Sequence, residues 1–182
     1  MGFALEASVK PVWRVIYNND GTNILNCASP YNTLGQRVLT EEKVRASVRE
    51  AAVAGVGAQL LSPGTSWVPW WPSRVVPLAQ HVQWFESRYG VKPASGELQF
   101  LLDGGDIIGA FIDECHKHKV AALVSFRAND GHLIENAFAK KVKGQYAGHL
   151  SQFYAQHPQF RRSQSPAQDW GERVHNWAIP EA

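Results

Sequence analysis

Val120-Ala121-Ala122-Leu123-Val124-Ser125-Phe126-Arg127-Ala128-Asn129-Asp130-Gly131-His132 is the stretch on which the reading of this chain turns. Residues 120–126 are apolar, do not alternate with polar residues, and are bounded by charge on either side. That is the pattern of a short strand buried on both faces, as in a parallel sheet. Its C-terminal end delivers Arg127, Asn129, Asp130 and His132 together. Directly before it, residues 106–119 place Ile107, Ile108, Phe111, Ile112 and Cys115 on one helical face. His116, Lys117, His118 and Lys119 follow at the C-terminal end of that helix, where the helix dipole favours cations. A helix therefore feeds a buried strand, and the strand ends in polar side chains.

The same unit recurs towards the N-terminus. Trp13-Arg14-Val15-Ile16-Tyr17 predicts a first strand, stopped by Asn18-Asn19-Asp20-Gly21. A loop over 22–39 follows. Thr40 then caps a helix with Glu41 and Glu42 in its first turn and Val44, Val48, Ala51 and Ala52 on one face. Gly55 and Gly57 end it. Ala58-Gln59-Leu60-Leu61 is a second strand, stopped by Ser62-Pro63-Gly64. An insertion over 65–96 contains Trp67, Trp70 and Trp71 in a proline-rich loop and a predicted helix over 77–89. A short helical piece is expected over 97–102, and a mixed helical region over 133–154, broken at His157-Pro158. The tail 161–182 is polar and aperiodic.

Alternating buried strands and helices give an α/β fold with parallel strands and covering helices, about three βα units in a single domain over 1–182. No GxGxxG or P-loop follows a strand, so a nucleotide fold of the usual kinds is not indicated. In parallel α/β folds the ligand site lies at the C-terminal strand ends. Here those ends supply Asn18, Asn19 and Asp20, then Ser62 and the loop to Trp67, Trp70 and Trp71, then Arg127, Asn129, Asp130 and His132. Each group has a plainer alternative. Asp20-Gly21 and Asp130-Gly131 can be turns alone, and the tryptophans can be a local core. The functional alternative is a sugar site, in which aromatic rings stack on C–H faces and polar side chains hold hydroxyls.

The chain has 182 residues, 45% hydrophobic and 19% charged, with a formal net charge of +2. That charge is too small to indicate nucleic acid or an anionic membrane as a partner, and Lys140, Lys141 and Lys143 read as a solvated face. The two cysteines form no disulfide framework. Cys115 reads as core and Cys27 as loop. No secretory leader and no membrane-length apolar run is seen, so a cytoplasmic protein is expected. No cofactor is expected. His116 and His118 diverge on a helix and make no metal pair. Ser62-Pro63 makes no nucleophile elbow.

Three passages carry a family resemblance: Val15-Ile16-Tyr17-Asn18-Asn19-Asp20-Gly21-Thr22-Asn23, Ser125-Phe126-Arg127-Ala128-Asn129-Asp130-Gly131-His132, and Phe153-Tyr154-Ala155-Gln156-His157-Pro158. They resemble glycoside-hydrolase-like TIM-barrel proteins, similar to family-10-type glycosyl hydrolase-like domains, from about Arg14 to the end. The resemblance implies the N-terminal portion of a (β/α) barrel and a carbohydrate ligand. In such proteins a segment like Asn176-Trp177-Ala178-Ile179-Pro180-Glu181 precedes a further helix and a strand ending in acidic residues. The expectation is thus a truncated or incomplete catalytic barrel. Open sheet edges would promote self-association. Glycosidases need two carboxylates; Asp20 and Asp130 are the strand-end candidates. Asp130 and His132 are the candidate acid/base groups, with Arg127 keeping Asp130 ionised. Asn19, Asn129 and His132 would bind hydroxyls, with Arg127 also in the substrate site and Trp67, Trp70 and Trp71 as the platform. The alternatives are a non-catalytic glycan-binding or scaffold protein, and a hydrolase of esters or lactones using Asp130 or His132 as base.

Overall fold

The computed structural model describes residues 14–21, 24, 38–92, 96–139, 142, 149–163 and 173–181. Its centre is a sheet of three parallel strands, β1 (Ile16–Asn19), β2 (Ala58–Leu61) and β5 (Ala121–Val124), in the order β1-β2-β5. The register aligns Ile16 with Ala58 and Ala58 with Ala121. A two-residue-strand hairpin, β3 (Gly64–Thr65) and β4 (Val68–Pro69), lies just beyond β2. The predicted β2 is reproduced residue for residue. β1 starts three residues later than expected and runs through Asn18 and Asn19. Side-chain preference marks a strand, but the ladder to β2 sets its ends, and that ladder continues to Asn19↔Leu61. For the same reason β5 stops at Val124, and Phe126 lies outside the ladder and two-thirds exposed.

Helix α1 (Glu41–Val53) begins where Thr40 accepts a bond from the Lys43 N–H at 3.3 Å. α4 (Ile107–Lys117) begins where Asp106 accepts from the Gly109 N–H at 2.8 Å. Between them lie α2 (Leu78–Tyr89), ended by Gly90 in the left-handed region, and α3 (Gly96–Leu102). The mixed helical region expected after β5 resolves into a 3₁₀ turn, Ile134–Phe138, and a short helix, α5 (Gln152–Gln156), with a further 3₁₀ turn at Pro158–Phe160.

Two apolar clusters hold these pieces. The first joins the sheet to α1 and α4 through Leu61, Val44, Val48, Ile107, Phe111, Cys115 and Val120, and includes Trp70. Burial raises the Cys115 thiol pKa to about 11, with Glu114 adding to it, so this cysteine is core as expected. The second cluster joins α2, the 3₁₀ turn and α5 through Phe85, Tyr89, Ile134, Leu150 and Tyr154. The strand register explains the first cluster. Leu61 and Ala122 lie on the face that packs against α1 and α4. On the opposite face Ile16 and Asn18 are exposed, and Leu60 and Leu123 only half-buried. The sheet is thus covered on one face and comparatively open on the other. Among the described residues it does not close into a barrel.

The tail is aperiodic, yet its described part is docked. Arg161 and His175 form an antiparallel bridge, flanked by bonds from the Arg162 N–H to the Val174 carbonyl and from the Asn176 N–H to the Phe160 carbonyl. Trp13, Cys27, Lys140, Lys141, Lys143 and Trp170 lie outside the described residues. Among the described residues no helix is long and apolar enough to cross a membrane.

Candidate functional site

The β3–β4 hairpin turns at Ser66-Trp67, and both residues have positive φ, 49° and 63°. Two consecutive left-handed residues are what a tight hairpin turn requires, and Asn-Gly is the usual choice. Ser and Trp are unfavourable there, so the surroundings must hold the turn. They do so from the loop after β5. Asp130 accepts the Ser66 N–H at 2.8 Å, the Ser66 hydroxyl donates to the His132 carbonyl, and the Trp67 indole N–H donates to the Ala128 carbonyl at 3.0 Å. Asp130 also accepts from the His132 N–H at 3.2 Å and bonds the His132 Nδ1. The carboxyl is 5% exposed. Burial pushes its pKa up, but the bonds from His132 and Ser66 outweigh burial, and the carboxyl is held below the ordinary Asp value. The same bond raises the His132 pKa, against desolvation.

This corrects one expectation. Arg127 does not keep Asp130 ionised; His132 and two backbone N–H groups do. Arg127 instead reaches Asp20 at the end of β1, at 3.5 Å, with both side chains about 40% exposed. Asp20 and Arg127 thus meet across the edge from β1 to β5, a pairing the sequence reading did not include.

The three clustered tryptophans divide. Trp70 is 2% exposed and belongs to the sheet core. Its ring lies over Gly21 so closely that a Cβ there would come within 2.4 Å of it, and Gly21 has φ of +87°. Trp70 is therefore core and not part of a platform: the hairpin carries it across the mouth of the sheet, a placement that sequence neighbours cannot reveal. Trp67 stacks on Tyr154 at 5.4 Å and meets His175 edge-on at 4.4 Å, which joins it to the second cluster. Only Trp71 remains substantially open, at 40%.

Trp71 opens onto a cavity of about 490 Å³, lined also by Pro63, Trp67, Pro72, Arg74, Phe126, Arg127 and Asp130. Ser62 and Pro63 leave the C-terminal end of β2, and Phe126 and Arg127 leave that of β5. The cavity therefore lies where strand ends place ligands in parallel α/β folds, and its size is within the ~300–1,000 Å³ of ligand pockets.

Other predicted residues stand apart from it. Asn19 is fully buried, and its Oδ1 accepts from the Gly21 N–H at 2.8 Å, so it shapes the turn after β1. Asn129 accepts from the Trp177 indole at 2.6 Å and ties the tail to the β5 loop. His132 is exposed but does not line the cavity. Sequence reasoning missed Arg74 and Phe126. Arg74 sits in the same proline-rich loop as the tryptophans, which was the available signal. Phe126 passed as the last residue of a strand. Among the described residues no three His, Cys, Asp or Glu side chains gather as a metal set. No protein-family model matches the chain, and no curated protein matches it.

Proposed function

We propose that this chain is the carbohydrate-recognising part of a glycoside-hydrolase-like (β/α) barrel, and that the strand-end cavity is its sugar site. The observation that carries the reading is the position of that cavity, at the ends of β2 and β5, with the open Trp71 ring in its wall and Arg127 at its edge. The parallel order β1-β2-β5 is compatible with a barrel arc interrupted by the β3–β4 hairpin. Binding is favoured over turnover. Hydrolysis needs two working carboxylates. Asp130 is committed to Ser66 and His132, and Asp20 is paired with Arg127.

Calorimetry against a panel of oligosaccharides tests this. Saturable binding is expected, weakened about tenfold by Trp71→Ala on the scale of an aromatic contact and its buried area. No release of reducing ends is expected. Binding that Trp71→Ala leaves unchanged would remove the cavity from the reading, and turnover would restore the hydrolase.

One observation favours a second reading. The Asp130–His132 pair orients an exposed imidazole through Nδ1, as a general base would be held. On that reading the chain hydrolyses esters or lactones. Activity on an aryl ester that His132→Gln abolishes would support it.

A further inference from the structure

We propose that the strand-end cavity selects an acidic sugar, a hexuronate, over its neutral counterpart, with Arg74 and Arg127 receiving the carboxylate. This rests on the glycan reading above. The argument is one of donors and acceptors. A neutral sugar hydroxyl both donates and accepts, so its site must offer both. The side chains lining this cavity offer mainly donors. Arg74 is exposed, and among the described residues no ion pair or hydrogen bond engages it. Arg127 is held only by the long, half-exposed contact to Asp20 at 3.5 Å. Each guanidinium has five N–H donors and no acceptor. Of the side-chain oxygens in the lining, those of Asp130 and Ser73 are spent, which leaves the Ser62 hydroxyl, 3% exposed at the cavity floor. Asp130 is taken by Ser66 and His132. The Ser73 hydroxyl oxygen already accepts from the Val75 and Val76 N–H groups at 3.2 and 3.1 Å.

A carboxylate is the complementary group: it only accepts, and its two oxygens match the planar guanidinium fork. The rest of the ligand must present an apolar face to Trp71, Pro72 and Phe126. A pyranose ring bearing a carboxylate has both features. Asp20 competes with that carboxylate for Arg127, so the site carries its own counter-ion, released when ligand binds.

The test is calorimetry on the full chain with a panel of uronate oligosaccharides, each paired with its carboxyl-reduced form. A uronate should bind at least about tenfold more tightly than its reduced partner, the scale of a charge-assisted hydrogen bond. Arg74→Gln and Arg127→Gln should each remove most of that difference between a uronate and its reduced form. Asp20→Asn should tighten uronate binding. Equal affinity for a uronate and its reduced form overturns the selectivity and keeps the glycan reading. A preference that survives both arginine variants overturns their role. Binding of neither form overturns both this inference and the glycan reading. Arg74 has no described contacts to lose, so its variant reports on the ligand and not on folding.

Discussion

Asp130 joins two loops by one side chain. It satisfies the Ser66 N–H inside a turn whose backbone is unfavourable for Ser and Trp, and it anchors His132 two residues on. Asp130→Asn is expected to lower the unfolding free energy by about 2 kcal/mol, the worth of bonds to a buried ionised acceptor, read by urea denaturation. The pair also sets a pH window. The Asp130 pKa is lowered in the fold, so its contribution is present above its unfolded value near ~3.9 and lost as pH falls through the lower folded value. The His132 pKa is raised, so its contribution is complete below ~6.5 and lost as pH rises through the higher folded value. Denaturation midpoints across pH should fall on both sides of that window, and His132→Gln should remove the alkaline limb. Titration of the His132 ring by NMR at its unfolded value would contradict the bond.

At the scale of elements, α1 and α4 are fastened by a carboxylate. Glu114, whose side chain is 2% exposed, meets Arg45 at 3.4 Å and Arg49 at 3.1 Å from α1, and Lys117 and His118 from its own chain segment at 3.3 Å. Burial raises its pKa, but the bonds from Arg49, Lys117 and His118 prevail and the carboxyl stays ionised. Without Glu114 the two arginines keep Glu41, Asp113 and Glu42 and all four cations still reach solvent. Glu114→Ala is therefore expected to cost about 1–2 kcal/mol in the same denaturation experiment, the worth of lost hydrogen bonds to a charged group.

The tail is a second fastened element. Arg161 donates to the Tyr154 carbonyl at 2.7 Å and the Ala155 carbonyl at 3.0 Å, closing the end of α5, and it lies 4.5 Å from the Tyr154 ring centre. His175 is buried beside it, and burial, with Arg161 adding to it, lowers its pKa to about 4. His175 is thus neutral in the fold. Its contribution is present above the unfolded value near ~6.5 and is lost as pH falls towards 4. Hydrogen-exchange protection factors at residues 173–181, referred to the intrinsic rate at each pH, should fall between neutral pH and pH 4, and His175→Phe should suppress that fall.

For the molecule as a whole, the open edge of β5 is the main consequence of a three-stranded sheet. The Ala121 and Ser125 N–H groups bond to the Gly57 and Leu61 carbonyls, so those of Ala122 and Val124 point away from the sheet. Among the described residues no charge or proline lies within β5 on this edge, and Val124 and Phe126 are 63% and 67% exposed beside it. We propose that the chain self-associates through β5. Light scattering coupled to size exclusion should find a dimer or larger species, and Val124→Lys should return it to monomer. A wild-type monomer with a cooperative melt would remove that proposal.

Local chemistry was enough for most of the elements. The apolar spacing of Val44, Val48, Ile107 and Phe111, the cap Thr40, and the short run at 58–61 bounded by turn residues each specify an element from its own residues. That the polar strand ends share one edge was also legible, because parallel strands bring their C-terminal ends together, but the pairing of Arg127 with Asp20 in place of Asp130 was not. Tertiary structure alone decided what the tryptophans do. A two-residue turn packs Trp67 against one core and along the cavity wall, sends Trp70 into the other core and opens Trp71 to the cavity, and no pattern along the chain separates three rings that close in sequence. It also decided the state of Asp130, since Ser66 comes to it from a loop that lies 64 residues away along the chain.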